Sequence, residues 1–306
     1  MKKYLIVTAT DRKNGDFLIN HWLPSLNNNV SLRGTDILIL DYGLSAEQAA
    51  KLKKKKVILL SGNRHGNPVV MRFIDSGKFL LKNKYQQILS IDSGDVLFQG
   101  DILPLLKTDL TKFRIVKHDI NPLYFEYYIS KNFPKNLRKK LWTVLKDKPL
   151  YNAGVLLAPR KKYLLLCRLM EKMISNKNLY GSDQVIVNYL LHQNPVKLLD
   201  NRYNFMPHTD MKEFFIKNGQ FRKNNGELIE IFHNAGKTDF MRPIKNFGVL
   251  TEGMKLDPKS FYLKKIFYST VRVMKYFSDL LLTFKPGFVF QFRQQSPNDQ
   301  QLSKPG

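Results

Sequence analysis

A chain of 306 residues that is 43% hydrophobic can bury a substantial core, which excludes global disorder, and it is long for one simple domain. Fifty Lys and Arg against 25 Asp and Glu give a net charge of +25, which draws the chain to polyanions: nucleic acid, anionic lipid headgroups or phosphorylated substrates. The single cysteine, Cys167, sits in an apolar helical stretch and excludes a disulfide framework and a cysteine-based zinc site.

Lys3 to Thr8 reads as a buried strand, followed by a polar turn, Thr8-Ala-Thr-Asp11, and a helix from an N-capping Asp16 to Leu26. The apolar start is stopped by Asp11-Arg-Lys13, too short for a secretory signal. No run reaches the ~18–20 apolar residues of a membrane span, so the chain is expected inside the cell. Asp36 to Asp41 is a second strand, and Ser45-Ala-Glu-Gln48 is a capping box opening a helix. The lysines at 51 and 53–56 fall at that helix's C-terminus, where cations suit the dipole. Val57 to Leu60 (strand), Val69 to Leu81 (helix) and Tyr85 to Asp92 (strand) continue the alternation. Short connections between alternating elements argue for an α/β fold with a mainly parallel sheet, whose ligands gather at the carboxyl ends of strands.

The fourth strand ends in Ile91-Asp92-Ser-Gly-Asp95-Val-Leu-Phe98. On a straight strand, residues three apart point to opposite faces. Asp-Ser-Gly-Asp is turn chemistry, however, with Gly94 expected to accept a positive φ and bring both carboxylates toward one hard divalent cation. As Asp-x-x-Asp alone, the motif equally suits a solvated turn.

Phe113 to Lys117 suggests a strand and Pro122 to Trp142 aromatic, basic helical pieces over the site. Tyr151 to Leu157 is a turn entering a buried strand, and Arg160 to Met173 a core helix. Ser182 to Leu191 is a capped helix with Asp183 and Gln184 in its first turn, where backbone N–H groups are unpaired. Val196 to Leu199 is a strand, Asn201 to Phe205 a turn, and Ile229 to His233 a strand ending in a histidine. A neutral imidazole there suits a metal, and Lys237, on a Gly-containing turn, suits a phosphate. From Lys259 to Phe292 the chain is basic and aromatic with helical spacing; eight basic residues face two acidic ones between Lys259 and Gly306. The expected division is a catalytic domain over 1–257, a basic amphipathic helix over 258–292 and a disordered tail over 293–306.

The ordered set Val7-Thr-Ala-Thr10, Ile91-Asp-Ser-Gly-Asp-Val-Leu-Phe98, Tyr151-Asn-Ala-Gly-Val-Leu156, Ser182-Asp-Gln184, Tyr203-Asn-Phe205 and His233-Asn-Ala-Gly236-Lys237 resembles glycosyltransferase family 8. It is most similar to the family's bacterial lipopolysaccharide galactosyl- and glucosyltransferases. The resemblance spans about Lys3 to Arg242 and implies the GT-A fold and hexose transfer from a nucleotide sugar, a UDP-sugar above others. The implied acceptor is a cell-surface glycan or lipid-linked saccharide, reached with retention of configuration. Asp92, Asp95 and His233 would hold Mn²⁺ or Mg²⁺. Thr8, Ala9 and Thr10 would line the nucleotide pocket, Asn152, Ala153, Asp183 and Gln184 would surround the sugar, and Gly236 and Lys237 would grip the diphosphate. Asp183 or Gln184 would face the reacting carbon. The family's Asp-x-Asp is here Asp-x-x-Asp, so Asp92 must be bent into place at Gly94. The C-terminal helix suits an anionic membrane surface, placing a cytoplasmic enzyme on the inner membrane face.

Two other classes fit parts of the chain. The charge and interleaved aromatics suit a nucleic-acid-binding protein, but no compact nucleic-acid motif is present and the paired acids lie where a basic groove is wanted, so no nucleic acid is expected. A nucleotidyltransferase on a similar scaffold would want a Gly-rich, basic loop after the first strand, which Thr8 to Asp11 does not offer.

Overall fold

The computed structural model describes residues 3–118, 123–207, 213–236 and 242–284. The first half of the chain forms β1 (Tyr4–Thr10), α1 (Arg12–Phe17), a π-helical turn (Leu18–Trp22), α2 (Leu23–Asn29), β2 (Thr35–Asp41), α3 (Ala46–Lys53), β3 (Ile58–Ser61), α4 (Pro68–Lys82) and β4 (Gln87–Ile91). Next come β5 (Val96–Phe98), α5 (Leu103–Lys107), β6 (Phe113–His118), α6 (Leu123–Asn132), α7 (Lys135–Leu145), β7 (Leu150–Tyr151) and β8 (Val155–Pro159). The rest is α8 (Arg160–Met173), α9 (Ser182–Leu191), β9 (Val196–Leu199), the hairpin of β10 (Phe214–Lys217) and β11 (Gln220–Lys223), and β12 (Ile231–His233). The short pair β13 (Ile244–Lys245) and β14 (Lys255–Leu256) precedes α10 (Pro258–Phe284).

The main sheet runs β3-β2-β1-β4-β8-β6-β7, with β9 added beside β6. The first four strands are parallel, as the alternation predicts, and β8 then enters antiparallel to β4. Side chains alternate across the sheet. Leu5 and Val7 of β1 pack with α4, α8 and α9, while Tyr4 and Ile6 pack with Leu18, Trp22 and Leu26 on the other face. A third, phenylalanine-rich cluster (Phe205, Phe214, Phe221, Phe232) fastens the β10–β11 hairpin beside β5 and β12. Each such ring, once buried, contributes about 1.5–3 kcal/mol.

The Ser45 capping box is present in both halves, with Gln48 N–H donating to Ser45 Oγ at 3.1 Å and Ser45 N–H to Gln48 Oε1 at 3.0 Å. Two expected caps are corrected. The first helix starts at Arg12, not beyond Asp16, because Asp11 Oδ1 accepts the Asn14 N–H at 2.9 Å. At α9 the capping residue is Gly181, at φ +87°, with no side-chain bond. Residues 285–306, including the expected tail, lie outside the described residues.

Candidate active site

Two pairings build the site. β8 runs antiparallel to β4, pairing Val155 with Ile91, so the Asn152–Gly154 turn that precedes β8 arrives where β4 ends in Asp92. Asp92 N–H donates to Gly154 O at 2.9 Å. Farther on, β5 and β12 form an antiparallel ladder that pairs Val96 with His233, and Asn234 N–H donates to Asp95 O at 2.8 Å. A histidine 138 residues downstream of Asp95 is thereby set beside it by backbone register.

Asp92, Asp95 and His233 offer ligand atoms that all lie within 4.8 Å of one another. His233 Nε2 is 3.3 Å from Asp95 Oδ1 and 3.7 Å from Asp92 Oδ2. The remaining carboxylate oxygens go to arginines: Arg72 pairs with Asp92 Oδ1, and Arg242 Nη2 is 3.0 Å from Asp95 Oδ2. Each acid thus faces a guanidinium with one oxygen and the shared point with the other. Asn204 donates through Nδ2 to Asn152 Oδ1 at 3.3 Å, which turns its own Oδ1 to His233 Nδ1 at 2.9 Å. With Nδ1–H held this way, the Nε2 lone pair points at the two carboxylates, the orientation of a metal-ligating imidazole. Two carboxylate oxygens and an imidazole nitrogen form a donor set that fits a divalent cation. Burial pushes the Asp92 carboxyl up, but Arg72 and His233 outweigh it and hold the group below the usual carboxylate range.

The bend itself differs from expectation. Gly94 does not adopt a positive φ; it is needed for close approach, since a Cβ there would lie 2.5 Å from Asn14 Oδ1. Gly154 is pressed still closer: a Cβ would strike His233 Cε1 and lie 2.9 Å from Asp92 Oδ2. Ser93 Oγ donates to Ala9 O at 2.7 Å, so the extra residue of Asp-x-x-Asp is tied down against β1.

The other expected residues divide. Thr8 and Thr10 are buried and only Ala9 is partly exposed at the end of β1. Asn152 Oδ1 accepts the Gly154 N–H at 2.9 Å. Gln184 has both amide ends engaged, Oε1 by the Ala153 N–H at 2.9 Å and Nε2 by Tyr151 O. Asp183 is buried in the first turn of α9. Burial raises its carboxyl to about 6, with Arg72 and the Gln184 backbone N–H opposing the rise and Asp92 adding to it. Gly236 O accepts from Arg242 Nε at 2.8 Å, and Lys237 lies outside the described residues.

Sequence reasoning missed Arg72, Arg242 and Trp22. Arg72 is a lone charge within the apolar Val69 to Ile74 run of α4, which is the one sign of it. Trp22 closes the π-helical turn and donates from Nε1 to Asp92 O at 3.0 Å; such turns recur at functional sites.

The family model described as "Glycosyl transferase family 8" matches residues 77–238, more than half of the chain. Among solved structures, galactosyltransferase LgtC in complex with donor and acceptor sugar analogues is 19% identical. The match covers 85% of this chain and 95% of that one, with a TM-score of 0.51. An active-site mutant of LgtC matches at 18% identity over 81% and 91% of the two chains, TM-score 0.50. The bifunctional glycosyltransferase WbbM matches at 16% identity over 78% of this chain and 46% of that one, TM-score 0.52. No curated protein sequence matches.

Proposed function

The chain belongs to glycosyltransferase family 8 and is a glycosyltransferase of GT-A fold, and we propose that it moves a hexose from a UDP-sugar to a glycan or lipid-linked saccharide with retention of configuration. The observation that carries the donor assignment is the convergence of Asp92, Asp95 and His233 at the carboxyl end of β4. Asp92 Oδ2, Asp95 Oδ1 and His233 Nε2 would hold Mn²⁺ or Mg²⁺, which would offset the charge that builds on the departing diphosphate. The domain carrying this chemistry is 1–257.

The chain's own residues do the rest. Ala9, between the buried Thr8 and Thr10, is the part of β1 open to the nucleotide. Arg242 and Lys237 add positive charge on the Gly236 side, where the diphosphate leaves. Gln184 fixes the Asn152–Gly154 turn through both of its amide ends, which leaves it a positioning role. Asp183, whose carboxylate meets backbone N–H groups and the charge of Arg72, is the group that faces the reacting carbon. The C1–O bond to UDP breaks, the acceptor oxygen takes C1, and the acceptor proton leaves on the diphosphate side.

Hydrolysis needs no acceptor and tests this reading. A screen of UDP-sugars is expected to show slow UDP release with one of them, lost in EDTA and restored by Mn²⁺, with the anomer of the freed sugar read by NMR at early time. Metal-independent release, or none with any UDP-sugar, would remove the proposal.

Membrane attachment through α10 is part of the same reading. No described helix is long and apolar enough to cross a membrane. In α10, however, Ile266, Met274 and Phe277 are exposed by 61%, 62% and 56%, beside exposed Lys259 and Lys265. Apolar side chains with flanking lysines suit the headgroup boundary, where each lysine is worth about 1 kcal/mol on an anionic surface. Flotation with phosphatidylglycerol vesicles is expected to carry the protein up. Lys259→Glu with Lys265→Glu should weaken binding about tenfold or more; equal binding to neutral phosphatidylcholine would count against the assignment.

A further inference from the structure

Beyond the acidic cluster, the mouth of the site is built from tyrosine. Tyr127 and Tyr180 are 52% and 41% exposed, and both set their rings edge-on to Tyr128. The centroid distances are 5.0 Å at 83° for Tyr127 and 6.2 Å at 60° for Tyr180. Tyr128 is itself fixed from below. Gly181 lies flat on its ring, so close that a Cβ would be 2.5 Å from Tyr128 Cδ1, at a φ of +87° that other residues rarely adopt. Asn132, at the end of α6, donates through Nδ2 to Tyr180 O at 2.9 Å and to Ser182 Oγ at 3.0 Å. The end of α6 and the start of α9 are therefore one unit, and the two exposed rings are held by it.

That unit stands at the reaction centre. Tyr180 precedes Asp183 by three residues across the Gly181 turn. Burial first, then the charges of Asp183, Asp92 and Asp95, raise the Tyr180 phenol, so its ring shares space with all three carboxylates. Burial, Tyr127 and Asp183 raise Tyr128 as well. The opposite wall, with the Asn152–Gly154 turn, is buried backbone and amide, which suits the donor sugar. On the tyrosine side two rigid rings stand half in solvent.

We propose that Tyr127 and Tyr180 form the acceptor subsite, a platform on which the apolar face of an acceptor sugar ring is laid with its hydroxyl turned toward Asp183. The proposal rests on the reading of this site as a glycosyltransferase centre. Tyrosine suits such a platform because its face takes the C–H face of a pyranose and its hydroxyl the polar edge, and with two torsions it loses little entropy. Tyr128 and Gly181 serve as the pedestal. α10 runs past α6, so a saccharide whose anchor lies at the α10 surface would be delivered along this face.

The test uses the full chain and the UDP-sugar it hydrolyses, with glucose, galactose, N-acetylglucosamine, lactose and maltose as acceptor probes. Hydrolysis without saccharide is measured first; its absence in the wild type sinks the underlying reading rather than this one. Tyr127→Ala and Tyr180→Ala are each expected to raise the acceptor KM about fivefold or more, with donor KM and acceptor-free hydrolysis changed less than about twofold. Tyr180→Trp, which keeps an aromatic face, should retain the wild-type acceptor KM. The proposal is overturned by an unchanged acceptor KM in both alanine variants. It is equally overturned by a parallel fall in hydrolysis, by loss of vesicle binding alone, or by a hydrolysing wild type that accepts none of the probes.

Discussion

Asp95→Ala is expected to abolish metal-dependent UDP binding and to lower both transfer and hydrolysis about 10²–10³-fold or more, with the fold intact. The side chain holds one oxygen 3.3 Å from His233 Nε2 and the other 3.0 Å from Arg242 Nη2. Its backbone carbonyl, by contrast, carries the Asn234 bond, and the β5–β12 ladder begins at the next residue. Truncation therefore removes a ligand and leaves the backbone frame in place. Arg242 loses an ion-pair partner, but it is one-third exposed and still donates to Gly236 O, so the cost in stability is about 1 kcal/mol or less.

Asp92→Ala is the poorer experiment. Its partner Arg72 has a side chain only 4% exposed, and a stranded buried guanidinium costs about 3–5 kcal/mol, which mixes unfolding with loss of activity. Thermal shift of Asp95→Ala with UDP, with and without Mn²⁺, separates the two effects. A melting temperature near wild type with no Mn²⁺-dependent rise is the expected result; a retained Mn²⁺-dependent response to UDP would remove the cluster from the mechanism.

Which parts of this site could be read from the chain follows from how local each determinant is. Asp92 and Asp95 were legible because a buried apolar run ending in acids is a local pattern, and parallel strands place their ligands at that end. His233 was legible as a strand-end imidazole, but its partner was not. The Val96–His233 register depends on a two-stranded ladder whose strands are 132 residues apart between Phe98 and Ile231, and no spacing rule encodes that.

Arg72 was illegible for a different reason. Its helix has a strong apolar pattern that reads as core, and a charge inside that pattern acquires meaning only once Asp92 is known to face it. Gly94 shows how the right residue can be chosen for the wrong reason. The sequence suggests a glycine that supplies an unusual backbone angle, whereas the structure uses the missing Cβ to admit Asn14. Asp11 and Asp16 compete as caps at a level that propensity cannot resolve. The exposed turn Arg12-Lys13-Asn14 carries no apolar signal, so the helix is first detected where its buried face begins.

Asp183→Asn is expected to leave a protein that is more stable than wild type near neutral pH and that transfers sugar about 10²-fold more slowly or worse. In the folded chain the carboxyl titrates at about 6, against 3.8 for an unperturbed aspartate, with burial as the main cause. A raised folded value means that the native state binds this proton more tightly than the unfolded state. The group's contribution to stability is therefore fully present below about pH 4 and is lost as pH rises through about 6. Above that, the native fold carries a buried charge whose cost, about 1–3 kcal/mol at roughly 1.4 kcal/mol per pH unit, an amide does not incur.

Denaturation of both proteins at several pH values reads this directly. The other carboxylates titrate alike in the two chains, so the difference between them isolates residue 183: the variant's advantage should be largest near pH 7.5 and close to zero at pH 4. Destabilisation at pH 7.5, or an advantage that does not shrink on acidification, would contradict the buried-carboxylate account. Wild-type activity should fall as pH drops through about 6, where Asp183 takes up its proton, and the residual activity of the variant should lack that limb. An asparagine variant with near-wild-type transfer would assign the face of the reacting carbon to another group. The stability gained by removing the charge and the turnover lost with it are two readings of one fact: the carboxylate is held where a reacting sugar gives it a partner.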